Sequence, residues 1–180
     1  MNKGTFVKIS YTGKLDNGQI FDTTDPEVAK TMGQKAEPIT ICLGQGQLLP
    51  GLDDKLIGKE LGNHTITLEP KEAFGEKSTK KLELVPKNQL QKQGINPKPG
   101  MELTIDGDRG VVRNISGGRV IVDFNHPLAG QKVHYDINIL EEVTYLTKQV
   151  KSIIDVINLP YEEVEIKDDA ATIKVPQIYP

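Results

Sequence analysis

At 180 residues, with 37% apolar and 26% charged side chains, the chain holds enough apolar material for one sizeable core or two small ones and is too hydrophobic for disorder. A net charge of −3 and a pI near 5.7 give no basic excess for nucleic acid or an acidic membrane surface. Cys42 stands alone, which excludes an internal disulfide. With no secretory leader in MNKGTFVKIS and no apolar run of membrane-span length, a cytoplasmic setting is expected.

Phe6–Tyr11 and Gln19–Asp22 read as strands around Asp16-Asn17-Gly18, and Asn-Gly between apolar segments predicts a tight hairpin turn because both residues tolerate positive φ. A surface excursion with a helix-like Glu27–Met32 leads to the strand Ile39–Leu43. Gly44-Gln45-Gly46 and the short helix opening at Pro50 look at first like a dinucleotide loop. The third glycine position is Leu49, however, and Gly58 and Gly62 end the helix, so no βαβ unit follows and the nucleotide reading fails. His64–Leu68 alternates as a half-buried strand, and 70–75 is a loop.

From Lys80 the pattern changes. Lys81–Val85 reads as a strand, Pro86–Gly94 as a short helix and Asn96–Gly100 as a turn. Met101–Ile105, Gly110–Ile115 and Arg119–Phe124 then form a meander, with Met101, Leu103 and Ile105 on one face and Val120, Val122 and Phe124 on another. Over 76–123 nine Lys/Arg stand against six Asp/Glu, but that segment has no Tyr or Trp on which bases could stack, so a nucleic-acid module is disfavoured.

Gln131–Val143 alternates as a long strand. Leu146, Val150, Ile153, Ile154 and Ile157 then recur at helical spacing, followed by strands Val164–Lys167 and Ala171–Val175 around Asp168-Asp169. So small a piece cannot bury much core alone. Either it packs on another domain or on a second subunit, giving a dimer through this segment, or the chain is part of a longer protein. The apolar Ile178 and Tyr179 fit both.

Five ordered motifs run through this pattern: VKISYTGKLDNGQIFDTT from Val7 to Thr24, Ile41-Cys42-Leu43-Gly44, Leu48-Leu49-Pro50-Gly51-Leu52, Glu72-Ala73-Phe74-Gly75 and Val133-His134-Tyr135-Asp136-Ile137. Together they resemble the FKBP-type peptidyl-prolyl isomerases. The rejoining segment from Asn125 to Gly130 resembles the SlyD-like branch and its longer archaeal relatives, in which a chaperone domain is inserted in the flap. The resemblance implies an α+β fold: an antiparallel sheet wrapped on a short helix, an inserted β-rich domain and a partial C-terminal α/β piece. The implied domains are a discontinuous isomerase domain of 1–76 and 124–146, a chaperone insert of 77–123, and 147–180.

By the same resemblance, Tyr11, Phe21, Asp22 and Tyr135 match catalytic positions and Ile39, Leu48, Leu49, Leu52, Phe74 and Leu128 match peptide-binding ones. Tyr11 and Tyr135 would be walls, Phe21 a wall by the proline ring and Leu52 the floor. Asp22 would accept a hydrogen bond from Tyr11, Leu49-Pro50 would offer backbone groups, and Leu128 would close the open side. Leu52, Ile39 and Phe74 stand where many relatives have Trp, Phe and Tyr. Taken singly, aromatic residues in alternating strands read as core. His64, His126 and His134 lack metal-ligand spacing, and His126 before Pro127 reads as a hinge residue that bonds backbone. No cofactor or metal is expected. The implied activity is isomerisation and chaperoning of unfolded or proline-containing polypeptides, without nucleic-acid or membrane partners. The alternative is a non-catalytic holdase.

Overall fold

In chain order the described residues, 1–168 and 170–177 of a computed structural model, begin with β1 (Phe6–Leu15), β2 (Ile20–Thr23), α1 (Pro26–Thr31), β3 (Ile39–Cys42), α2 (Pro50–Leu56) and β4 (Gly62–Leu68). Next come β5 (Leu82–Pro86), α3 (Lys87–Lys92), β6 (Glu102–Ile105), β7 (Asp108–Ser116) and β8 (Arg119–Asp123). The chain continues through β9 (Val133–Glu142), α4 (Leu146–Val156), β10 (Glu163–Lys167) and β11 (Ala170–Lys174). Asp169, Ile178 and Tyr179 lie outside the described residues. Antiparallel sheets with short helices make this an α+β protein, divided into one compact unit of 1–73 with 132 onward and another of 74–131. No described helix is long and apolar enough to cross a membrane.

The first unit is organised by β1, whose ten residues outrun the predicted strand and pair on both edges. β9 lies along one edge, while β3 and β2 share the other. β4 extends the sheet beyond β9. Because side chains alternate across a strand, the rungs separate by chemistry. Val7, Ile9, Ile41, Ile66, Leu68, Val133, Ile137 and Ile139 are buried, together with Leu52 and Leu56 from α2. Each such aliphatic side chain contributes about 1.5–3 kcal/mol by leaving water. The opposite face carries polar rungs: Ser10, Asn138 and Asn63; Thr12, Asp136 and Thr65; Lys14, His134 and Thr67. On it Lys14 pairs with Asp136 at 2.8 Å, and His134 lies between Asp16 and Thr67.

The first hairpin forms where expected, and its tight turn shows how it is held. Only Gly18 takes a positive φ (82°), and Asn17 instead accepts the Gln19 N–H on its side-chain oxygen at 2.9 Å. Leu15 and Gln19 close the loop by backbone bonds, and the β1/β2 register slips between Gly13 and Lys14. The Asp106-Gly107 turn does take the mirror-image form, with φ of 52° and 93°. The difference lies in the side chain of Asn17, which caps its own turn and so removes the need for a left-handed residue there.

The C-terminal piece differs from its helical pattern in what it buries. α4 packs on β3 and β10, with Ile154 and Ser152 buried. Leu146, Ile153 and Ile157 face outward, at 59%, 45% and 64% exposure.

In 74–131 the strand order is β5-β8-β7-β6. Val85, Leu90, Leu103, Val112, Val120 and Val122 form its core, ringed by Ile95, Ile105, Ile115 and Phe124. Met101, expected beside Leu103, precedes β6 and is exposed. The segments that enter and leave this unit run side by side. The Gly130 N–H donates to the Gly75 carbonyl, and the Asn125 side chain both accepts from the Ser78 N–H and donates to its carbonyl.

Candidate active site

Three strands converge on one rung. Gly13 of β1 lies opposite Asp22 of β2 on one side and opposite Tyr135 of β9 on the other. The register slip leaves Phe21 as an extra residue between two rungs, which lets consecutive Phe21 and Asp22 both serve the face that carries Tyr11 and Tyr135. A regular strand would have turned one of them away.

The resulting cluster is compact. Tyr11 Oη donates to Asp22 Oδ2 at 2.9 Å. The Tyr135 ring stands edge-on to Tyr11 at 5.7 Å and to Phe21 at 5.8 Å, both within the range of favourable aromatic pairs. Tyr135 is 3% exposed, while Tyr11 and Phe21 are half-buried and Asp22 is exposed. Burial pushes the Tyr11 hydroxyl above the usual phenol range, and its hydrogen bond to Asp22 raises it further. Burial, followed by the charge of Asp22, pushes Tyr135 up to about 12. Both phenols therefore keep their protons at neutral pH, so the cluster offers neutral donors around one carboxylate.

Gly13 is a site residue that the motif reading passed over. A Cβ there would lie 2.7 Å from the Phe21 ring and 3.0 Å from Tyr135. The missing side chain is what allows the two rings to close over β1. A glycine inside a strand pattern signals such close approach, and ending the predicted strand at Tyr11 hid it.

Leu52 is fully buried in α2, whereas Leu48 and Leu49 are half-buried on the loop before it. That loop is fixed from both ends. Asp53, only 4% exposed, accepts the Gly44 N–H at 2.8 Å and the Gly46 N–H at 2.9 Å, while Gln47 accepts the Cys42 N–H at 2.6 Å. The glycines that suggested a phosphate loop thus give their N–H groups to a carboxylate of the chain itself. Gly51 permits a second close approach, since a Cβ there would meet Glu72 at 2.6 Å.

The remaining matched residues lie on several further elements of the chain. Ile39 lines a groove of about 580 Å³ between β3 and α4, and Leu48 a hollow of about 400 Å³ beside Lys3 and Ile57; neither is lined by Tyr11, Phe21 or Tyr135. Phe74 and Leu128 belong to the other compact unit. There Phe74 stacks on His126, and the Leu128 N–H donates to His126 Nδ1 at 3.1 Å. His64 bonds the Glu60 carbonyl, and among the described residues no three His, Cys, Asp or Glu are grouped so as to hold a metal ion.

An antiparallel sheet whose core opens into aromatic rings around a fixed carboxylate presents an apolar surface with one held charge. Comparison with known proteins gives the particular family. A model of the FKBP-type peptidyl-prolyl cis-trans isomerases matches residues 1–93, and one described as FKBP26, IF domain matches 83–128. The chain is 30% identical over 145 residues to the short-type peptidyl-prolyl cis-trans isomerase of Methanocaldococcus jannaschii, spanning 77% of this chain and 92% of that protein. It is 36% identical over 141 residues to the FKBP-type 16 kDa peptidyl-prolyl cis-trans isomerase of Escherichia coli, spanning 75% and 89%. It is 30% identical over 146 residues to the SlyD isomerase of Haemophilus influenzae, spanning 78% and 71%. This chain belongs to the FKBP-type peptidyl-prolyl cis-trans isomerases.

Proposed function

We propose that the Tyr11, Phe21, Asp22 and Tyr135 cluster isomerises Xaa-Pro bonds in unfolded or partly folded polypeptides. Rotation about such a bond faces a barrier of about 20 kcal/mol, set by amide resonance that is lost when the bond is perpendicular. No covalent bond breaks and no proton moves. The twisted amide is less charge-separated than the planar one, so an apolar aromatic surface disfavours the planar form relative to the transition state. A differential of about 5 kcal/mol would accelerate the step by about three to four powers of ten. In this reading Tyr11, Phe21 and Tyr135 supply that surface, and Asp22, held by the Tyr11 hydroxyl, presents a fixed charge that favours one twisted geometry. Leu52 backs the surface as its floor, and Leu48, Leu49 and Ile39 contact the flanking peptide. For Phe74 and Leu128 the motif match alone supports peptide contact.

The observation that carries this reading is the Tyr11–Asp22 hydrogen bond beneath the Tyr135 and Phe21 rings. Its test is the refolding of a protein limited by a slow prolyl step, which lasts tens of seconds unaided. Acceleration by catalytic amounts of the intact chain is expected. An unchanged slow phase at stoichiometric amounts would leave only the holdase.

We further read 1–76 with 124–146 as the isomerase domain and 77–123 as an inserted client-capturing chaperone domain, with 147–180 as a C-terminal helix plus β-hairpin, in a cytoplasmic protein. The match of 83–128 to an IF domain model, a positively charged segment and exposed Leu82 and Leu84 support the insert's reading. Replacing 77–123 by a short loop should leave tetrapeptide isomerisation within a few-fold while impairing refolding catalysis and aggregation suppression. Equal losses on both substrates would end the division of labour.

A further inference from the structure

The exposed His126 side chain touches both residues of 74–131 matched to peptide-binding positions. Its imidazole stacks face to face on the Phe74 ring, with centroids 4.6 Å apart and planes 3° from parallel. Its Nδ1 accepts the Leu128 N–H at 3.1 Å. An imidazole nitrogen that accepts from a backbone N–H uses its lone pair in that bond, which leaves Nε2 as the ring's other polar atom. The stack fixes the plane of the ring, and the hydrogen bond fixes its rotation.

The backbone around it is constrained in the same sense. Pro127 occupies the second position of a turn closed by the Ala129 N–H to the His126 carbonyl at 2.9 Å, and Ala129 is buried. Gly75 and Gly130 pair the two crossing segments by their backbones. That pairing involves backbone alone, and His126 adds a contact to the Phe74 ring and one to the Leu128 N–H. Because the imidazole is exposed, its two contacts add order at Phe74 and Leu128 more than they add buried area.

We infer that His126 is a positioning residue, which presets the Phe74 ring and the Leu128 backbone for a bound peptide. The inference rests on the reading that those two residues contact substrate. The experiment measures KM and kcat of the intact chain on a proline tetrapeptide for four variants. His126→Asn keeps an acceptor near Nδ1 but cannot stack as an imidazole does, His126→Phe keeps a stacking ring but cannot accept, His126→Ala has neither, and Phe74→Ala tests the contact itself. We expect His126→Ala to raise KM about five- to tenfold with kcat within about twofold. His126→Asn and His126→Phe should each recover part of that loss, and the Leu128 amide resonance should move in the alanine and phenylalanine variants while staying near its wild-type position in the asparagine one. A wild-type KM in His126→Ala overturns the inference, and if Phe74→Ala still raises KM, the substrate contact survives without it. A wild-type KM in Phe74→Ala overturns the contact and with it the stacking half of the inference. A loss in His126→Ala that neither partial variant recovers also overturns the inference, because it would mean that neither the stack nor the bond is responsible.

Discussion

Both units bury one side of an antiparallel sheet, but they finish their cores differently. In 74–131 the core is six aliphatic side chains with Phe124 at its margin. In the other unit the aliphatic layer of β1, β9 and β4 runs into Tyr135, Tyr11 and Phe21, and ends on the exposed carboxylate of Asp22. An aliphatic core can only stabilise. A core that grades into aromatic hydroxyls and a charge leaves an ordered, half-dry surface at its rim, and the proposed chemistry lies there.

The largest expected effects come from cutting each core where it is densest. Tyr135→Ala removes the ring that both Tyr11 and Phe21 lean on, and should cost about 3–5 kcal/mol in unfolding experiments. Tetrapeptide isomerisation should fall at least about a hundredfold, since the wall and its geometry go together. Leu90→Ala should cost about 2–5 kcal/mol in the other unit, yet leave tetrapeptide turnover within a few-fold while weakening aggregation suppression. Equal damage to tetrapeptide turnover by the two variants would erase the distinction between the cores.

Gly13→Ala is subtler. The added Cβ, 2.7 Å from the Phe21 ring, must push that ring or bend β1. Turnover should drop about tenfold while thermal stability changes little, because about 1 Å of misplacement at a reacting surface costs more in rate than in folding. Wild-type turnover would mean that ring closure over β1 does not matter. Next in size, Asp22→Asn should lower kcat about tenfold with the fold intact, since the charge and its hydrogen bond are lost together. Tyr11→Phe should lower it about fivefold, because only the bond is lost. A fully active Asp22→Asn would sink the electrostatic part of the mechanism.

These variants also mark how far the sequence could be read. Strand and helix positions followed from periodicity and from Gly and Pro punctuation, signals carried by each segment alone. The Tyr11, Phe21, Asp22 and Tyr135 set was legible only through motif order, since nothing local to Tyr135 says that it faces Gly13. Gly13 was hidden because its neighbours depend on two pairings at once, one across a slipped hairpin and one with a strand far along the chain. Asp53 was hidden for a similar reason: its role exists only when the loop of Gly44 and Gly46 folds back onto α2. The Asn17-Gly18 turn was legible locally, and only the side-chain bond by which Asn17 holds it was not.

The smallest effect, and the one that separates the units without mutation, is pH. In the tyrosine-bearing unit, burial raises Tyr11 and Tyr135 above the ordinary 10.0, so the folded state holds those protons more tightly than the unfolded chain. Their contribution is complete below pH 10 and is lost as the pH rises from there toward about 12. In 74–131, burial alone would raise Asp123, but hydrogen bonds from the Asn125 backbone and side chain, with the Arg113 guanidinium at 2.9 Å, outweigh it and hold the carboxyl below its ordinary value. That contribution is complete above the ordinary value of 3.8 and is lost as the pH falls below it. Asp136 is also lowered, by Lys14 first, but its side chain is 50% exposed and solvent screens most of the effect. The described tyrosines, Tyr11, Tyr135, Tyr145 and Tyr161, all lie outside 74–131, and 74–131 has none, so no tyrosine signal comes from that unit. Acid should therefore soften the amide resonances of 74–131 before the tyrosine signal changes, and alkali above pH 10 should reverse that order. Arg113→Met should bring the acid transition to higher pH without moving the alkaline one. Loss of the tyrosine signal first on the acid side would show that carboxylates of the isomerase sheet, and not Asp123, set the acid limit.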